Sequence, residues 1–212
     1  METKERILTH AYQLFMKYGV RSVTLDDIAR DLGMSKKTIY QYFENKEDIV
    51  CESVRGHMCM EIEAGNRIAE VSENALDELA RFIHYAIQSL KTVSPQLIYE
   101  TQKYYPRAWQ VFHDHKNNYL LGKVRENLQR GIREGLYRDD IHVEIVARMR
   151  VAQIGMSLDP EIFPIDQFDV VEVQLQMIEL YMFGVITKKG RNYLAEHRYH
   201  REVIKSDPNS YL

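Results

Sequence analysis

The chain has 212 residues, with 28 Lys and Arg against 31 Asp and Glu, a formal net charge of −3. Its 45% hydrophobic and 28% charged content fits one medium folded domain, or a small domain joined to a larger one, and excludes a disordered chain. The mildly acidic balance excludes a nucleic-acid binder held by bulk positive charge, but leaves room for one whose positive charge is local.

Residues 1–6 lack the apolar stretch of a secretory signal. The longest uncharged apolar runs, such as 180–187, fall far short of the ~20 residues a membrane span needs, so a cytoplasmic protein without a membrane partner is expected. Cys51 and Cys59 are eight apart on one predicted helix, a rise of ~12 Å against the ~5.5 Å between disulfide-bonded Cα atoms. Free thiols are the expectation.

Every periodic stretch has the helical period. From Glu2 to Tyr18, the residues Ile7, Leu8, Ala11, Leu14, Phe15 and Tyr18 make one stripe, and Gly19 stops it. Thr24-Leu25-Asp26-Asp27 has the form of a capping box and opens a short helix that ends at Gly33. Ser35 caps a third helix with Lys36 to Phe43 as its body, Ile39 and Phe43 facing inward. Asn45, with Asp48 three residues on, caps a fourth that runs through Ile62. Longer helices are predicted at 72–90, from Pro95 to Tyr104, from Pro106 to about Glu134, from Ile141 to about Leu158 under an Asp140 cap, and from Asp166 to Thr187. Residues 188–212 carry six Lys and Arg against three acids, a basic tail that forms either a short extra helix from Tyr193 to about Ile204 or a mobile arm, with a partly ordered helix the preferred expectation. No alternating β-branched run and no internal repeat is present, so the expected fold is all-α, of about nine helices.

Thr24 to Phe43 carries the function. A short capped helix, a turn containing Gly33 and a second short helix make a helix-turn-helix, whose second helix enters the DNA major groove. Residues 33–43 hold two lysines and no acid, so the presented surface is positive although the protein is not. Lys36, Lys37 and Thr38 stand where side chains reach base edges, and Tyr40, Tyr42 and Lys46 where donors meet phosphates. Tyr40 is equally placed for half-buried packing. The helix has no Arg and no Asn, so bidentate base contacts fall to Lys or Gln41.

The runs Thr24-Leu25-Asp26-Asp27-Ile28-Ala29, Gly33-Met34-Ser35-Lys36-Lys37-Thr38-Ile39-Tyr40-Gln41-Tyr42-Phe43 and Asn45-Lys46-Glu47-Asp48-Ile49 strongly resemble the TetR/AcrR family of bacterial transcriptional regulators. The likeness covers roughly residues 4–55, and Gly131 to Asp140 also resembles the family's entry into its penultimate long helix. The resemblance implies a three-helix DNA-binding domain at 1–47, a larger ligand-binding and dimerisation domain at 48–187, and the tail at 188–212. It adds Thr24 as a phosphate contact, so the DNA-binding candidates are Thr24, Ser35, Lys36, Lys37, Thr38, Tyr40, Gln41, Tyr42 and Lys46. It further implies a homodimer, in which the two long C-terminal helices pair with their mates and Gly155 and Gly184 permit close approach. Such a dimer reads palindromic operator DNA and is released by a small effector, the output being repression.

Residues 99–119 hold Tyr99, Tyr104, Tyr105, Trp109, Phe112 and Tyr119, which either fill a core or line an effector pocket. The pocket candidates are Tyr99, Tyr104, Tyr105, Trp109, Phe112 and His113, with His84, Met149, Gln153 and Met156, suiting an aromatic or amphipathic molecule. Neither His113/His115 nor His197/His200 has the companions of a metal site, and no cofactor is expected. Nucleophile elbow, phosphate-cradling glycine loop and metal cluster are all missing, which argues against an enzyme. The rival reading is a helix-turn-helix scaffold that recruits a protein partner without an inducer. Charge divides along the chain: net +1 over 1–47, −7 over 48–187 and +3 over 188–212.

Overall fold

The second and third helices start under side-chain caps, and the first two stop at positive-φ glycines. In the computed structural model, which describes residues 2–93 and 95–196, α1 (Thr3–Tyr18) ends at Gly19. Next come α2 (Leu25–Asp31) and α3 (Lys36–Tyr40), joined through Gly33 at φ +64°, a left-handed backbone that only glycine adopts freely. The third helix is shorter than predicted. Its last turn tightens as Tyr42 N–H bonds to Ile39 O at 3.0 Å, carrying Phe43 down into the core. α4 (Lys46–Val71) is capped by Asn45, whose Oδ1 accepts from Asp48 N at 3.0 Å, and it outruns its predicted end by nine residues.

α5 (Ala75–Thr92) is capped by Asn74, which accepts from the N–H groups of Leu76 and Asp77. α6 (Pro95–Tyr104) and α7 (Pro106–His115) follow. The single helix expected from Pro106 to Glu134 is broken: Lys116–Leu120 is a π-helical turn, and α8 (Leu121–Arg133) resumes after it. α9 (Val143–Met156) is capped by His142 and α10 (Val170–Val185) by Asp169. Asp140 does not cap, because its carboxylate is held by Arg138 through two bonds of 2.8 and 2.9 Å. α11 (Lys188–Glu196) begins five residues before the predicted tail helix, with Thr187 Oγ1 accepting from Gly190 N. The rest of that prediction, with His197 and His200, lies outside the described residues. Among the described residues the fold is therefore all-α, with eleven α-helices and one π turn; β pairing is limited to an isolated bridge between Tyr137 and Ile186. No helix among them is long and apolar enough to cross a membrane.

By packing, the chain forms two units. The first is Met1–Glu63 with Thr92–His115, and the second is Ala64–Lys91 with Lys116–Leu212. The core of the first gathers Ile7, Ala11, Phe15, Ile28, Ile39, Phe43 and Ile49 from α1–α4, with Ala108 of α7. The core of the second gathers Leu76, Ile83, Leu128, Tyr137, Ala147, Ile178 and Ile186. Both thiols are free, Cys51 buried and Cys59 exposed.

Candidate nucleic-acid interface

Local hydrogen bonding builds the helix-turn-helix. Thr24 Oγ1 accepts from Asp27 N at 3.1 Å, and Asp27 Oδ2 accepts in return from Thr24 N at 2.9 Å, the reciprocal capping box. The bonds from Thr24 hold the Asp27 carboxyl below the usual carboxylate range. Met34 N donates to Ala29 O at 2.9 Å across the turn, and Ser35 Oγ accepts from Thr38 N at 3.1 Å to start α3. Ile28, fully buried Ile39 and Phe43 fix the pair from beneath, which sets what α3 presents outward.

That outward face is Lys37, Tyr40, Gln41 and Tyr42, all exposed. Lys37 makes no ion pair among the described residues, so its charge is available to a ligand. Lys36 instead donates to Asp26 Oδ2 at 2.8 Å, a bond that raises its pKa and braces α3 against α2. Thr38 is half-buried with its hydroxyl 2.9 Å from Ser35 Oγ. Lys46 turns away from solvent: its ammonium donates to Val20 O, lies 3.5 Å from Arg21 O and sits 5.8 Å above the Tyr105 ring. Burial lowers its pKa. It ties the loop after α1 to the start of α4.

Glu100 was not among the sequence candidates. This buried carboxylate on α6 accepts from Arg21 N at 2.9 Å and from Gln96 Nε2 at 2.9 Å, and its Oε2 would lie 3.1 Å from a Cβ on Gly19. Burial pushes its pKa up, but the N–H donors outweigh that and leave it below the usual range. Arg21 also lies over the Tyr104 ring at 4.5 Å. One acid in a tyrosine-rich helix was the only signal in the sequence. Glu100→Gln is expected to lower stability by ~1–2 kcal/mol, roughly 2–8 °C in Tm. Because the folded-state pKa is depressed, this stabilisation is present above the unfolded pKa and is lost as pH falls through the folded one. Wild type should therefore lose stability on acidification more steeply than the variant, as thermal melts between pH 7 and pH 3 would show.

The ten pocket candidates fall in both units. Tyr99, Tyr104, Tyr105, Trp109, Phe112 and His113 belong to the first, on α6, α7 and the junction between them. There Lys103 lies over Tyr99 and Tyr104 at 5.1 and 5.5 Å, and Trp109 packs on Phe112 at 5.0 Å and on His113 at 5.9 Å. Several of these rings thus serve as platforms for cations. His84, Met149, Gln153 and Met156 belong to the second unit. His84, Met149 and Met156 are exposed, whereas Gln153 has a buried Oε1 without a partner. Gly155 does not face outward as expected for close approach, since a Cβ there would come 2.8 Å from Lys116 Nζ; Gly184 opens onto free space.

The motif at Gly131–Arg138 organises the second unit. Arg130 binds Glu134, Glu78 and Ser72 O at 2.8, 3.0 and 2.9 Å, and Glu134 Oε2 accepts from Ala75 N at 2.8 Å. Fully buried Tyr137 places its hydroxyl 3.0 Å from Asn127 Oδ1 and 3.1 Å from Ala75 O.

Comparison with known proteins agrees with this geometry. The sequence model described as "Bacterial regulatory proteins, tetR family" matches residues 7–52, spanning the helix-turn-helix. The HTH-type transcriptional regulator YvaF of Bacillus subtilis is 27% identical over 188 residues, 85% of this chain and 94% of that protein. The HTH-type transcriptional repressor KstR2 of Mycobacterium tuberculosis is 25% identical over 145 residues, 67% and 72% of the two chains. A transcriptional regulator from Saccharomonospora viridis, solved in complex with choline, shares the fold with a TM-score of 0.70 at 18% identity, over 87% of this chain and 98% of that one. Residues 7–52 thus match the DNA-binding segment of the tetR family of bacterial regulatory proteins, and the curated relatives that span more of the chain are HTH-type transcriptional regulators and repressors.

Proposed function

We propose that this protein is a ligand-responsive repressor that binds palindromic operator DNA as a homodimer in the cytoplasm and leaves it when a small effector binds the domain at 48–187. The observation that carries the DNA contact is the exposed set Lys37, Tyr40, Gln41 and Tyr42, held on a helix whose inner residue, Ile39, is fully buried. A rigid frame with one unpaired cation and three hydrogen-bonding side chains suits groove and phosphate contact. Thr24, Ser35 and Thr38 contribute at the helix starts, while Lys36 and Lys46 act chiefly by bracing. The repressor name borne by KstR2 supports the sign of regulation, and the choline bound to the Saccharomonospora protein supports a small-molecule effector. Glu100, which joins α6 to the loop after α1, is a natural point for effector binding to disturb the DNA-binding helices. The test is selection of bound fragments from genomic DNA by the purified protein. A shared inverted repeat is expected, and recovery of no common sequence would overturn the reading.

The homodimer is supported by an apolar stripe that the monomer leaves uncovered. On α9, Ile145, Met149, Ala152 and Met156 recur at helical spacing and are exposed, Met149 at 59%. On α10, Leu180 is 72% exposed and Phe183 is exposed beside it. Two pocket candidates, Met149 and Met156, are better used on this stripe, where two copies of α9 and α10 would bury it. Leu180→Glu is expected to place a charge in that seam and shift sedimentation from dimer to monomer, weakening operator binding with it. A variant that stays dimeric would move the interface elsewhere.

A further inference from the structure

Several cations of the first unit are neutralised where they stand. Lys36 is paired with Asp26, Arg30 with Asp27, Arg107 with Asp48, and both Lys4 and Arg55 with Glu52. Arg21 and Lys103, in the same unit, differ. Both are exposed, and among the described residues neither makes an ion pair. Glu100 feels the Arg21 charge, but its oxygens accept from Arg21 N and Gln96 Nε2 instead.

Tyrosines hold these two cations. The Arg21 guanidinium lies 4.5 Å from the centre of the Tyr104 ring, and its Nη1 donates to the Tyr104 hydroxyl at 3.4 Å. Lys103 donates to the Tyr99 hydroxyl at 2.6 Å and lies 5.1 and 5.5 Å from the Tyr99 and Tyr104 rings. The helical spacing of α6 explains the arrangement: Tyr99 and Lys103, four apart, meet on one face while Glu100 is buried. A ring attracts a cation without cancelling its charge. Two like charges therefore stand against one ring, Tyr104, and their repulsion is what an anion would relieve.

The place of this pair narrows the anion. Arg21 is fixed by its main chain, whose N–H donates to Glu100 and whose carbonyl stands 3.5 Å from the Lys46 ammonium. It lies three residues before Thr24, the cap of α2, and against Lys46 at the start of α4. In a helix-turn-helix the first of the two helices, here α2, crosses the nucleic-acid backbone while the second lies in the groove. A cation just ahead of α2 stands on the backbone side of the reading face, where the anion on offer is phosphate.

We propose that Arg21 and Lys103 form a second positive contact with DNA, outside the helix-turn-helix, which takes a backbone phosphate flanking the bases that α3 reads. Tyr99 and Tyr104 are the positioning residues that hold the two cations out for it. The contact rests on the operator reading given above and widens it, adding affinity and footprint but no sequence preference.

Fluorescence anisotropy of the full chain over a salt series tests this with three duplexes. They are the sequence most enriched from genomic DNA with about one helical turn of flank on each side, the same sequence without flanks, and a random sequence of the longer length. Lys103→Gln should weaken binding to the flanked duplex about tenfold and lower the slope of log affinity against log salt by roughly one per subunit. Arg21→Gln should do the same, its main-chain bonds to Glu100 and Lys46 being untouched. Removing the flanks should cost wild type about as much as either substitution and cost the variants little. Tyr104→Ala should weaken binding while keeping most of the slope, because the charges remain but are no longer placed. An unchanged slope in both charge variants, or a variant deficit just as large on the unflanked duplex, would overturn the proposal. The two readings fail separately. A slope lowered by Lys37→Ala but not by Lys103→Gln or Arg21→Gln overturns this contact and leaves the operator reading standing. Slopes lowered on the random duplex by both charge variants, with no preference for the enriched sequence, support the contact and sink the operator reading. No binding of wild type to any of the three duplexes at low salt would sink both.

Discussion

Gly131→Ala should destabilise the protein by about 3 kcal/mol, a fall of roughly 6–12 °C in Tm for a chain of this size. A Cβ at position 131 would lie 2.0 Å from Tyr137 Cδ2 and 2.4 Å from Cε2, inside the ring. Tyr137 cannot step aside, because it is 1% exposed and its hydroxyl is fixed between Asn127 and Ala75. The helix itself would gain ~1 kcal/mol from the exchange of glycine for alanine, and the clash together with the lost hydroxyl contacts outweighs that. Tyr137→Ala alone should also destabilise, yet the double variant should be more stable than the sum of the two losses predicts, since each removes the other's conflict. Strict additivity in thermal or urea unfolding would show that the close approach carries no strain.

Lys37→Ala should weaken operator binding about thirtyfold, from the loss of ~1 kcal/mol in each of two subunits. The slope of log affinity against log salt should fall by roughly two, one phosphate-field contact per subunit. Lys36→Ala should change that slope less, because Asp26 already neutralises the charge in the free protein. Fluorescence anisotropy over a salt series separates the two. An unchanged slope in the Lys37 variant would remove it from the DNA surface.

What the sequence made legible is what neighbours within a few residues decide. Thr24 with Asp27, Ser35 with Thr38, Asn45 with Asp48 and the left-handed Gly33 are each closed by bonds no longer in range than one helical turn, and all were readable as caps and a turn. Residue roles set by distant contacts were not readable. Lys46 has the position of a phosphate donor, but carbonyls 25 and 26 residues away claim it. Asp140 is the exception among near neighbours: it has the position of a cap, but Arg138, two residues before it, takes its carboxylate. Helix α9 carries apolar residues most of the way round, so periodicity could not tell the outward stripe of Met149 and Met156 from the inward one of Ala147 and Val151. The run from Pro106 to Glu134 reads as one helix because no proline interrupts it after its first residue, even though Asn117 and Asn118 are weak helix formers.

The π-helical turn at Lys116–Leu120 sets the register of the helix on either side of it. Removing a single codon within 116–120 would let the helix run as uninterrupted α and swing Lys116 about 100° round the axis, away from Gly155. The caps, the core of the second unit and the DNA-reading helix would keep their own side chains. One deletion would then change which side chains of this stretch face the core, and one insertion restore them, with no substitution elsewhere in the second unit.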